Sequence, residues 1–353
     1  MYRTIKIKLD RSNELVQTAR IWNAACQDVI DYGFGARDFN KTRLNRATYD
    51  DVRKKYPTLP SALVQTARDQ ASDMLKRTKF ETKPYKQVLG AVRFDVRTMK
   101  VFLESGYCKL TTVFGRLRYN FTIPKYYLKY ISWEVVNAQL KITKSNCFLN
   151  VQVGCSNPNI SEGDRRIGID LGINNIAVCS DNTFVNSGKI KVIKGKYQYL
   201  RSKLQSIGTR SAKRKLQTLA GRERRFQKDT NHNIANWILD KPFDIIVLED
   251  LTNIRKHTYN KKLGKWSFAE LRSIIEYKAE GMGKQTIAIN PKYTSQTCSK
   301  CGFQHKANRT GKTFKCKSCG FQLDADLNAS RNIATFSRTD TSRVSVNHPI
   351  VAE

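Results

Sequence analysis

The chain has 353 residues, of which 63 are Lys or Arg and 30 are Asp or Glu, so its formal net charge at pH 7 is +33. An excess of this size indicates a polyanionic partner, and nucleic acid is the default candidate. No apolar run is long enough to span a bilayer, the N-terminus lacks the features of a signal peptide, and no lipidation signal is present. We therefore expect a cytoplasmic protein with no membrane partner.

The first half of the chain predicts strands that enclose a helical segment. Residues 3–9 alternate between apolar and polar side chains, as a half-buried strand does. Apolar residues at helical spacing follow across 13–85, and strand patterns return across 86–158. We predict an α/β multidomain chain whose N-terminal antiparallel β-barrel, 1–12 and 86–158, carries the helices as an insertion.

Aromatic and basic residues are interleaved along the later part of this predicted barrel. The aromatic members are Tyr107, Phe114, Tyr119, Phe121, Tyr126, Tyr127 and Tyr130, and the basic members are Arg116, Arg118, Lys125 and Lys129. Such a pattern can stack bases and hold phosphates. It is equally the pattern of one face of any half-solvated sheet, so the sequence leaves both interpretations open.

A strongly basic stretch follows the predicted linker 156–164. Residues 189–228 contain 14 Lys or Arg and a single acid, Glu223, on an apolar pattern typical of one or two helices interrupted near Gly208. A solvated charged face usually mixes both signs, so we predict contact with a phosphate backbone here. The predicted contact residues are Lys213, Arg214, Lys215, Arg222, Arg224, Arg225 and Lys228.

Three carboxylates occupy unusual positions. Asp170 interrupts an apolar strand, Glu249 ends another strand, and Asp326 opens a helix with an apolar face. One such acid alone is more often a helix cap or a turn residue. Three of them at one point would repel each other unless cations lay between them, as in a two-metal phosphodiester-cleaving site. Mg²⁺ suits such oxygen ligands, and the order of strands and helices fits an RNase H-like core that could bring the acids to one edge.

Four cysteines have the spacing of a zinc site. Cys298, Cys301, Cys316 and Cys319 form two CxxC pairs with 14 residues between them, within a predicted zinc ribbon at 296–321. Four thiolates leave no open coordination position, so this Zn²⁺ would be structural. We expect the other five cysteines to be reduced and mostly buried. They are Cys26, Cys108, Cys147, Cys155 and Cys179.

Five motifs, in this order, resemble the TnpB (OrfB) proteins of bacterial and archaeal insertion sequences, which are relatives of the compact type V CRISPR effectors. They are GIDLGINNIAV, IIVLEDL, PKYTSQTCSKCG, FKCKSCG and DADLNASRNIA, and they cover about 165–335. Over 1–155 the resemblance is less specific, with LPSALVQTARD and the barrel-with-insertion pattern as its basis.

This resemblance implies an RNA-guided DNA endonuclease of a transposable element, which would cut double-stranded target DNA beside a short adjacent motif. Asp170, Glu249 and Asp326 would hold two Mg²⁺ ions, and Arg331 would contact a scissile or flanking phosphate. Asp324 is so close to Asp326 that its own share in the metal site stays open. None of the three acids is missing, which is expected of an active nuclease.

The resemblance also assigns roles to the predicted domains. The nuclease would be a RuvC-like domain at 164–295 and 322–336, the insertion at 13–85 would read the adjacent motif, and the barrel would hold a guide RNA from the element end. The tail 337–353 is expected to be disordered. Two alternatives remain open at this point, namely a DNA-binding or RNA-guided repressor without cleavage and a protein-only transposase or resolvase. The oligomeric state is not determined by the sequence.

Overall fold

The computed structural model describes residues 1–250 and 268–336. The chain divides into two compact units, one ending at Ser156 and the other beginning at Asn157, so the division falls at the start of the predicted linker. Within the described part of the chain, no helix combines the length and the hydropathy needed to cross a membrane. The tail 337–353, for which disorder is predicted, lies outside the described residues.

The first unit consists of three helices that stand in the chain between the first strand and the remaining strands. The strands are β1 (Tyr2–Leu9), β2 (Val92–Phe94), β3 (Met99–Phe102), β4 (Tyr107–Thr112), β5 (Gly115–Asn120), β6 (Glu134–Ile142) and β7 (Cys147–Gly154), and the helices are α1 (Asn13–Gly35), α2 (Lys41–Lys55) and α3 (Ser61–Thr78). A short 3-10 helix spans Lys125–Tyr130. These elements follow the predicted succession of a strand, helices and further strands.

The strands of the first unit form two antiparallel sheets. One has the order β1-β7-β6-β2 and the other the order β3-β4-β5. In β1 the alternation predicted from the sequence is present, because Ile5, Ile7 and Leu9 are buried while Lys6 and Lys8 are exposed. Both sheets and all three helices contribute to one hydrophobic core. Closure of these strands into a barrel remains a prediction.

The second unit is an α/β fold with a small ribbon inserted near its end. Its strands are β8 (Arg166–Asp170), β9 (Asn175–Cys179), β10 (Phe184–Asn186), β11 (Ile245–Glu249), β12 (Gln285–Ile289), β13 (Arg309–Thr310), β14 (Thr313–Lys315) and β15 (Gln322–Asp324), and its helices are α4 (Gly188–Ile207), α5 (Arg210–Leu239), α6 (Phe268–Glu280) and α7 (Ala325–Phe336). The pair α4 and α5, separated at Gly208 with a φ of 66°, confirms the predicted helices with a break at that glycine.

A five-stranded sheet with the order β10-β9-β8-β11-β12 forms the centre of the second unit. β9 is antiparallel to both β8 and β10, whereas β11 runs parallel to both β8 and β12. Ile246 and Leu248 pack into a core with α5 and α6 on one face, and Ile245 and Val247 pack with Ile333 of α7 on the other. Helices therefore cover both faces of this sheet.

Candidate active site and metal sites

The pairing of β8 with β11 places Asp170 beside Glu249. The two strands are parallel, and their last recorded pair is Ile169 with Leu248, one residue before each acid. Neighbouring strands are about 4.8 Å apart, so the two acids lie side by side at the carboxyl edge of the sheet. Because successive side chains point to opposite faces, Glu249 shares the face of Val247, which is the face that α7 covers.

Helix α7 approaches β8 closely enough to bring Asp326 to the same edge. A Cβ atom on Gly168 would clash with the backbone oxygen of Ser330 and with the backbone nitrogen of Ala334, and it would stand 3.0 Å from the Ala334 Cβ. Only glycine permits this contact between helix and strand. The first turn of α7, which carries Asp326, consequently lies next to the end of β8.

Two of the three acids, Glu249 and Asp326, are held by defined partners. Glu249 Oε1 accepts a hydrogen bond from the Thr294 hydroxyl at 2.6 Å. Asp326 accepts from Arg309 at 2.9 Å and from the Asn175 side-chain amide at 3.4 Å. These partners orient the carboxylates, and Arg309 is the one among them that carries a positive charge.

Burial and the negative charges of Glu249 and Asp326 raise the pKa of Asp170 to about 8, with Arg309 acting in the opposite direction. Burial also raises the pKa of Glu249, while the hydrogen bond from Thr294 and the charge of Arg309 oppose the rise. A charge shifts the pKa of another carboxyl group mainly at short range, so Glu249 and Asp326 lie near Asp170. The structure places the three acids at one edge of the central sheet, and their joint role as catalytic metal ligands stays a prediction.

The three acids are chemically suited to bind divalent cations, because they offer carboxylate oxygens with unbalanced negative charge at a partly buried site. Among the described His, Cys, Asp and Glu residues, only the four cysteines form a group with ligand atoms within 4.8 Å of one another. Like-charged carboxylates repel each other when no cation lies between them.

The structure separates the roles of Asp324 and Asp326. Asp324 Oδ1 accepts hydrogen bonds from the backbone N–H groups of Asp326 and Leu327, both at 3.0 Å, which is the arrangement of a helix N-cap. One oxygen of Asp324 is thus engaged in starting α7, whereas the contacts of Asp326 are with side chains on other elements.

The two arginines near α7 lie in different places. Arg331, predicted to contact a phosphate, donates a hydrogen bond to Asn182 at 2.9 Å in the turn between β9 and β10, and no recorded contact joins it to the acids. Arg309 reaches the acids from β13 of the ribbon. In the sequence Arg309 lies between the two cysteine pairs, and a single arginine in a basic loop gives no signal that it contacts Asp326.

The cysteine pairs form two similar knuckles. Cys298 Sγ lies 3.8 Å from Cys319 Sγ, and Cys301 Sγ lies 3.6 Å from Cys316 Sγ. Four sulfurs at about 2.3 Å from one zinc in tetrahedral geometry would be about 3.8 Å apart. Gly302 and Gly320, with φ of 76° and 73°, end the two knuckles in the left-handed region that favours glycine. These residues fit a structural zinc ion.

Asparagine side chains fasten the ribbon to α7, a feature that the sequence analysis did not recognise. Asn332 donates to the carbonyls of Thr294 at 2.8 Å and Thr297 at 2.6 Å, and Asn328 donates to Thr297 at 2.8 Å. Asn328 also accepts from the Ser299 N–H at 3.0 Å. Both asparagines are buried. The sequence signal is their spacing of four residues within an otherwise apolar helical face.

The seven basic residues predicted to contact phosphates are all exposed on α5. None of them takes part in the ion pairs recorded for the described part of the chain. Glu223, the one acid of this stretch, is paired with Arg201 of α4 and so does not neutralise them. Of the five cysteines outside the ribbon, Cys155 is half-buried and the other four are buried; all five are free thiols, as predicted.

Two family models match this chain. Residues 148–260 match OrfB_IS605, described as "Probable transposase", and residues 268–333 match the "Cas12f1-like, TNB domain". The first match contains β8 and the strand that ends at Glu249, and the second contains both cysteine pairs and Asp326. The two matches thus cover the segments on which the acids and the cysteines lie.

Three curated relatives are similar in sequence to parts of this chain. A "CRISPR-associated endodeoxyribonuclease Cas12f1" of Sulfoacidibacillus thermotolerans is 44% identical over 31% of this chain and 27% of its own length. "TnpB-like protein MJ0751" of Methanocaldococcus jannaschii is 31% identical over 41% of this chain and 56% of its own. The "Putative RNA-guided DNA endonuclease InsQ" of Escherichia coli K12 is 31% identical over 47% of this chain and 48% of its own.

The chain thus spans between about a quarter and somewhat more than half the length of these relatives. Among solved structures, a Cas12f1-sgRNA-target DNA complex aligns with 95% of this chain and 99% of that chain at 18% identity, with a TM-score of 0.42.

Proposed function

We propose that this chain, which matches the OrfB_IS605 and Cas12f1-like TNB family models, is an RNA-guided DNA endonuclease of a transposable element. The observation that carries the proposal is the meeting of Asp170, Glu249 and Asp326 at one edge of the central sheet. A relative named as an endodeoxyribonuclease and another named as an RNA-guided DNA endonuclease support the same activity. Cleavage would occur in double-stranded target DNA beside a short adjacent motif.

We assign the second unit to the RNase H-like (RuvC) folds. The support is its sheet order, in which three antiparallel strands are followed by two strands parallel to the first of them. In this assignment 164–295 and 322–336 form the nuclease and 296–321 the zinc ribbon. In the first unit, 1–12 and 86–158 would form a barrel around a guide RNA.

The helical insertion, 13–85, would read the adjacent motif of the target. Helices α1, α2 and α3 support its treatment as an insertion, because they stand in the chain between β1 and the remaining strands of the same core. The protein itself would read little of the target sequence, since guide–target pairing can carry that information while the protein holds the heteroduplex by shape and charge. The exposed basic face of α5 would contact that backbone.

Asp170, Glu249 and Asp326 would hold two Mg²⁺ ions, with Thr294 and Asn175 fixing the orientation of the last two carboxylates. Bound there, Mg²⁺ would activate a water molecule and stabilise the leaving oxygen. Asp170 must give up its proton before it can act as a ligand. Because Arg309 already provides a positive charge beside the acids, we assign it to the phosphate that enters the site.

The experiment that tests this function compares Asp170→Asn with Asp164→Asn. Asp164 is an exposed acid close in sequence that pairs with Arg166, so its loss should leave cleavage unchanged. We expect Asp170→Asn to abolish magnesium-dependent cleavage of a guide-matched duplex while the affinities for RNA and for target DNA are retained. Cleavage at the wild-type rate in Asp170→Asn would refute the nuclease site.

Purification distinguishes guided cleavage from a protein-only reaction. A guide-dependent enzyme should bring bound RNA with it, which is visible as an excess of absorbance near 260 nm over that at 280 nm that ribonuclease removes. Protein that is free of RNA and still fully active would favour a transposase or resolvase. Guided binding without any cleavage, in protein with intact acids, would favour a repressor.

A further inference from the structure

The three-stranded sheet β3-β4-β5 of the first unit has one buried face and one exposed face. In β4, Cys108, Leu110 and Thr112 are buried, while Lys109 between them is exposed. β3 and β5 show the same alternation, with their polar positions on the exposed side. The exposed face is therefore determined by strand periodicity.

Three cations lie directly opposite one another across this exposed face. Lys100 of β3 pairs in register with Lys109 of β4, and Lys109 pairs with Arg118 of β5. We call these three residues the cation ladder. Like charges at directly opposed positions destabilise a sheet. The ion pairs recorded for the described residues include none of the three, so no acid of that part of the chain compensates this repulsion.

The guanidinium of Arg118 is held in position by its neighbours. Its central carbon lies 4.0 Å from the ring centroid of Tyr107, and its Nε donates to Asn120 at 3.2 Å. On Tyr107 the ring of Phe102 stacks at 4.6 Å with an angle of 24° between the planes. Phe102 is 38% exposed, so part of its ring remains available. An oriented guanidinium offers a fork of donors that matches a phosphate.

The adjacent four-stranded sheet provides an internal contrast. There Lys8 of β1 and Lys141 of β6 are both opposite Phe148 of β7, so an aromatic ring separates the two cations. Lys6 lies over the same ring at 4.0 Å. That face carries exposed lysines without an uninterrupted run of opposed charges, and it needs no anion to relieve repulsion.

We propose that the cation ladder binds the phosphate backbone of a single-stranded RNA segment and that Phe102 receives one of its bases. A row of cations at strand spacing suits a strand with a charge on every nucleotide, and aromatic stacking adds affinity without a sequence requirement. The bound phosphates would neutralise the charges that repel each other in the free protein. The identity of this strand as the guide RNA rests on the proposed function; the binding itself does not.

Under this proposal, the two interpretations that the sequence left open apply to opposite faces of the sheet. Tyr119, Phe121, Tyr127 and Tyr130 pack against the core of the first unit, so they serve as ordinary half-buried sheet and loop residues. On the opposite face, Tyr107 and Phe102 would contact the nucleic acid. Phe102 was not among the aromatic residues singled out from the sequence.

The test measures RNA binding by full-length protein from which co-purified RNA has been removed. The probe is a fluorescent single-stranded oligouridylate of roughly 12 nucleotides, within the site sizes of single-strand binders. Titrations at several salt concentrations in EDTA keep any cleavage out of the measurement. The ladder variant Lys100→Ala/Lys109→Ala is compared with the control Lys8→Ala/Lys141→Ala, which removes the same charge from exposed strand positions.

We expect the ladder variant to bind about fivefold more weakly for each lost phosphate contact at roughly 0.1 M salt, and its slope of log K against log salt to be shallower by about 1.4. The control should keep the wild-type slope. A matched single-stranded DNA probe that bound more tightly than the RNA would overturn the choice of RNA. Equal changes of slope in the ladder variant and the control would overturn the site.

A second measurement is independent of binding. Because Lys109 lies between two other cations, Lys109→Gln should raise the melting temperature of the free protein by about 1 to 3 °C. An unchanged or lower melting temperature would contradict the unrelieved repulsion. If the protein binds RNA as expected but never cleaves DNA, the nuclease proposal fails and the cation ladder stands.

Discussion

The guanidinium of Arg309 donates a hydrogen bond to the carboxylate of Asp326 at 2.9 Å. Arg309 lies on β13, directly after the buried Asn308, which bonds the Gln296 and Phe303 carbonyls near one knuckle and accepts from the Lys317 N–H in the other. The segment that carries the four cysteines therefore does more than stabilise the unit. It supplies the positive charge that stands next to the proposed magnesium ligands.

We predict that Arg309→Ala will reduce the single-turnover rate of DNA cleavage at saturating Mg²⁺ by about 10²- to 10³-fold, as expected for the loss of a donor at developing negative charge. Arg331→Ala should retain a rate within a few-fold of the wild type, because its recorded contact is with Asn182. The reverse result would restore the role that the family resemblance gives to Arg331.

We predict that Asp170→Asn will stabilise the metal-free protein at neutral pH by about 1–2 kcal/mol. The folded protein holds the Asp170 proton up to a pKa of about 8, whereas the unfolded chain releases it near 3.8. Between these values the folded state binds more protons, so its stability falls as the pH rises. Above about pH 8 Asp170 is ionised in both states, so it adds no further pH dependence to the free energy of unfolding.

The corresponding measurement is the melting temperature of both proteins in EDTA across this pH range. The difference in favour of Asp170→Asn should grow from about pH 4 to pH 8 and then level off. If the difference in melting temperature stayed constant with pH, the titration of Asp170 would not be the cause of the pH-dependent loss of stability. Comparison of the two proteins removes the contribution of the other titrating groups.

Gly168→Ala is predicted to destabilise the protein by about 1–3 kcal/mol through overpacking and to reduce cleavage, because the new methyl group would push α7 and Asp326 away from β8. The matched control is Gly195→Ala in α4, where an added Cβ meets nothing within 4 Å. Alanine there should stabilise the helix by about 0.5–1 kcal/mol. Thermal melts and cleavage rates measured together test both variants.

Removal of zinc is predicted to lower the melting temperature and to abolish cleavage that added Mg²⁺ cannot restore. The strands β13, β14 and β15 carry Arg309 at their first residue and lead directly into α7 at their last. Loss of the metal that holds these strands should therefore displace both Arg309 and Asp326. Metal analysis of the wild type should give one zinc per chain, and Cys316→Ser should lose it. Cys155→Ser, a half-buried thiol outside the ribbon, should change neither value.

Those parts of the site that depend on short sequence patterns could be predicted. Strand periodicity and chain order led to the prediction that Asp170, Glu249 and Asp326 meet at one edge of the sheet, and the CxxC spacing was enough to predict the four-cysteine cluster. Such features are local, or they follow from the rule that parallel strands end at the same edge.

What escaped prediction depends on contacts between distant segments. Arg309 meets Asp326 across 17 positions of the chain, and its neighbours in sequence say nothing about that meeting. The same holds for Asn328 and Asn332, which bond backbone carbonyls more than 30 positions away. The cation ladder depends on strand register, which the one-dimensional alternation of residues leaves undetermined.

The side-chain amides of Asn328 and Asn332 donate hydrogen bonds to backbone carbonyls next to the first cysteine pair. These bonds limit which segments can be exchanged between relatives. A graft limited to the cysteine knuckles, 298–319, would transfer the metal but sever the carbonyl contacts at Thr294 and Thr297 from their asparagines. The smallest transferable piece is therefore 291–336, which keeps Thr294, the partner of Glu249, together with the whole of helix α7, which carries Asp326. Chimaeras with cuts inside that interval should fold as two mismatched halves.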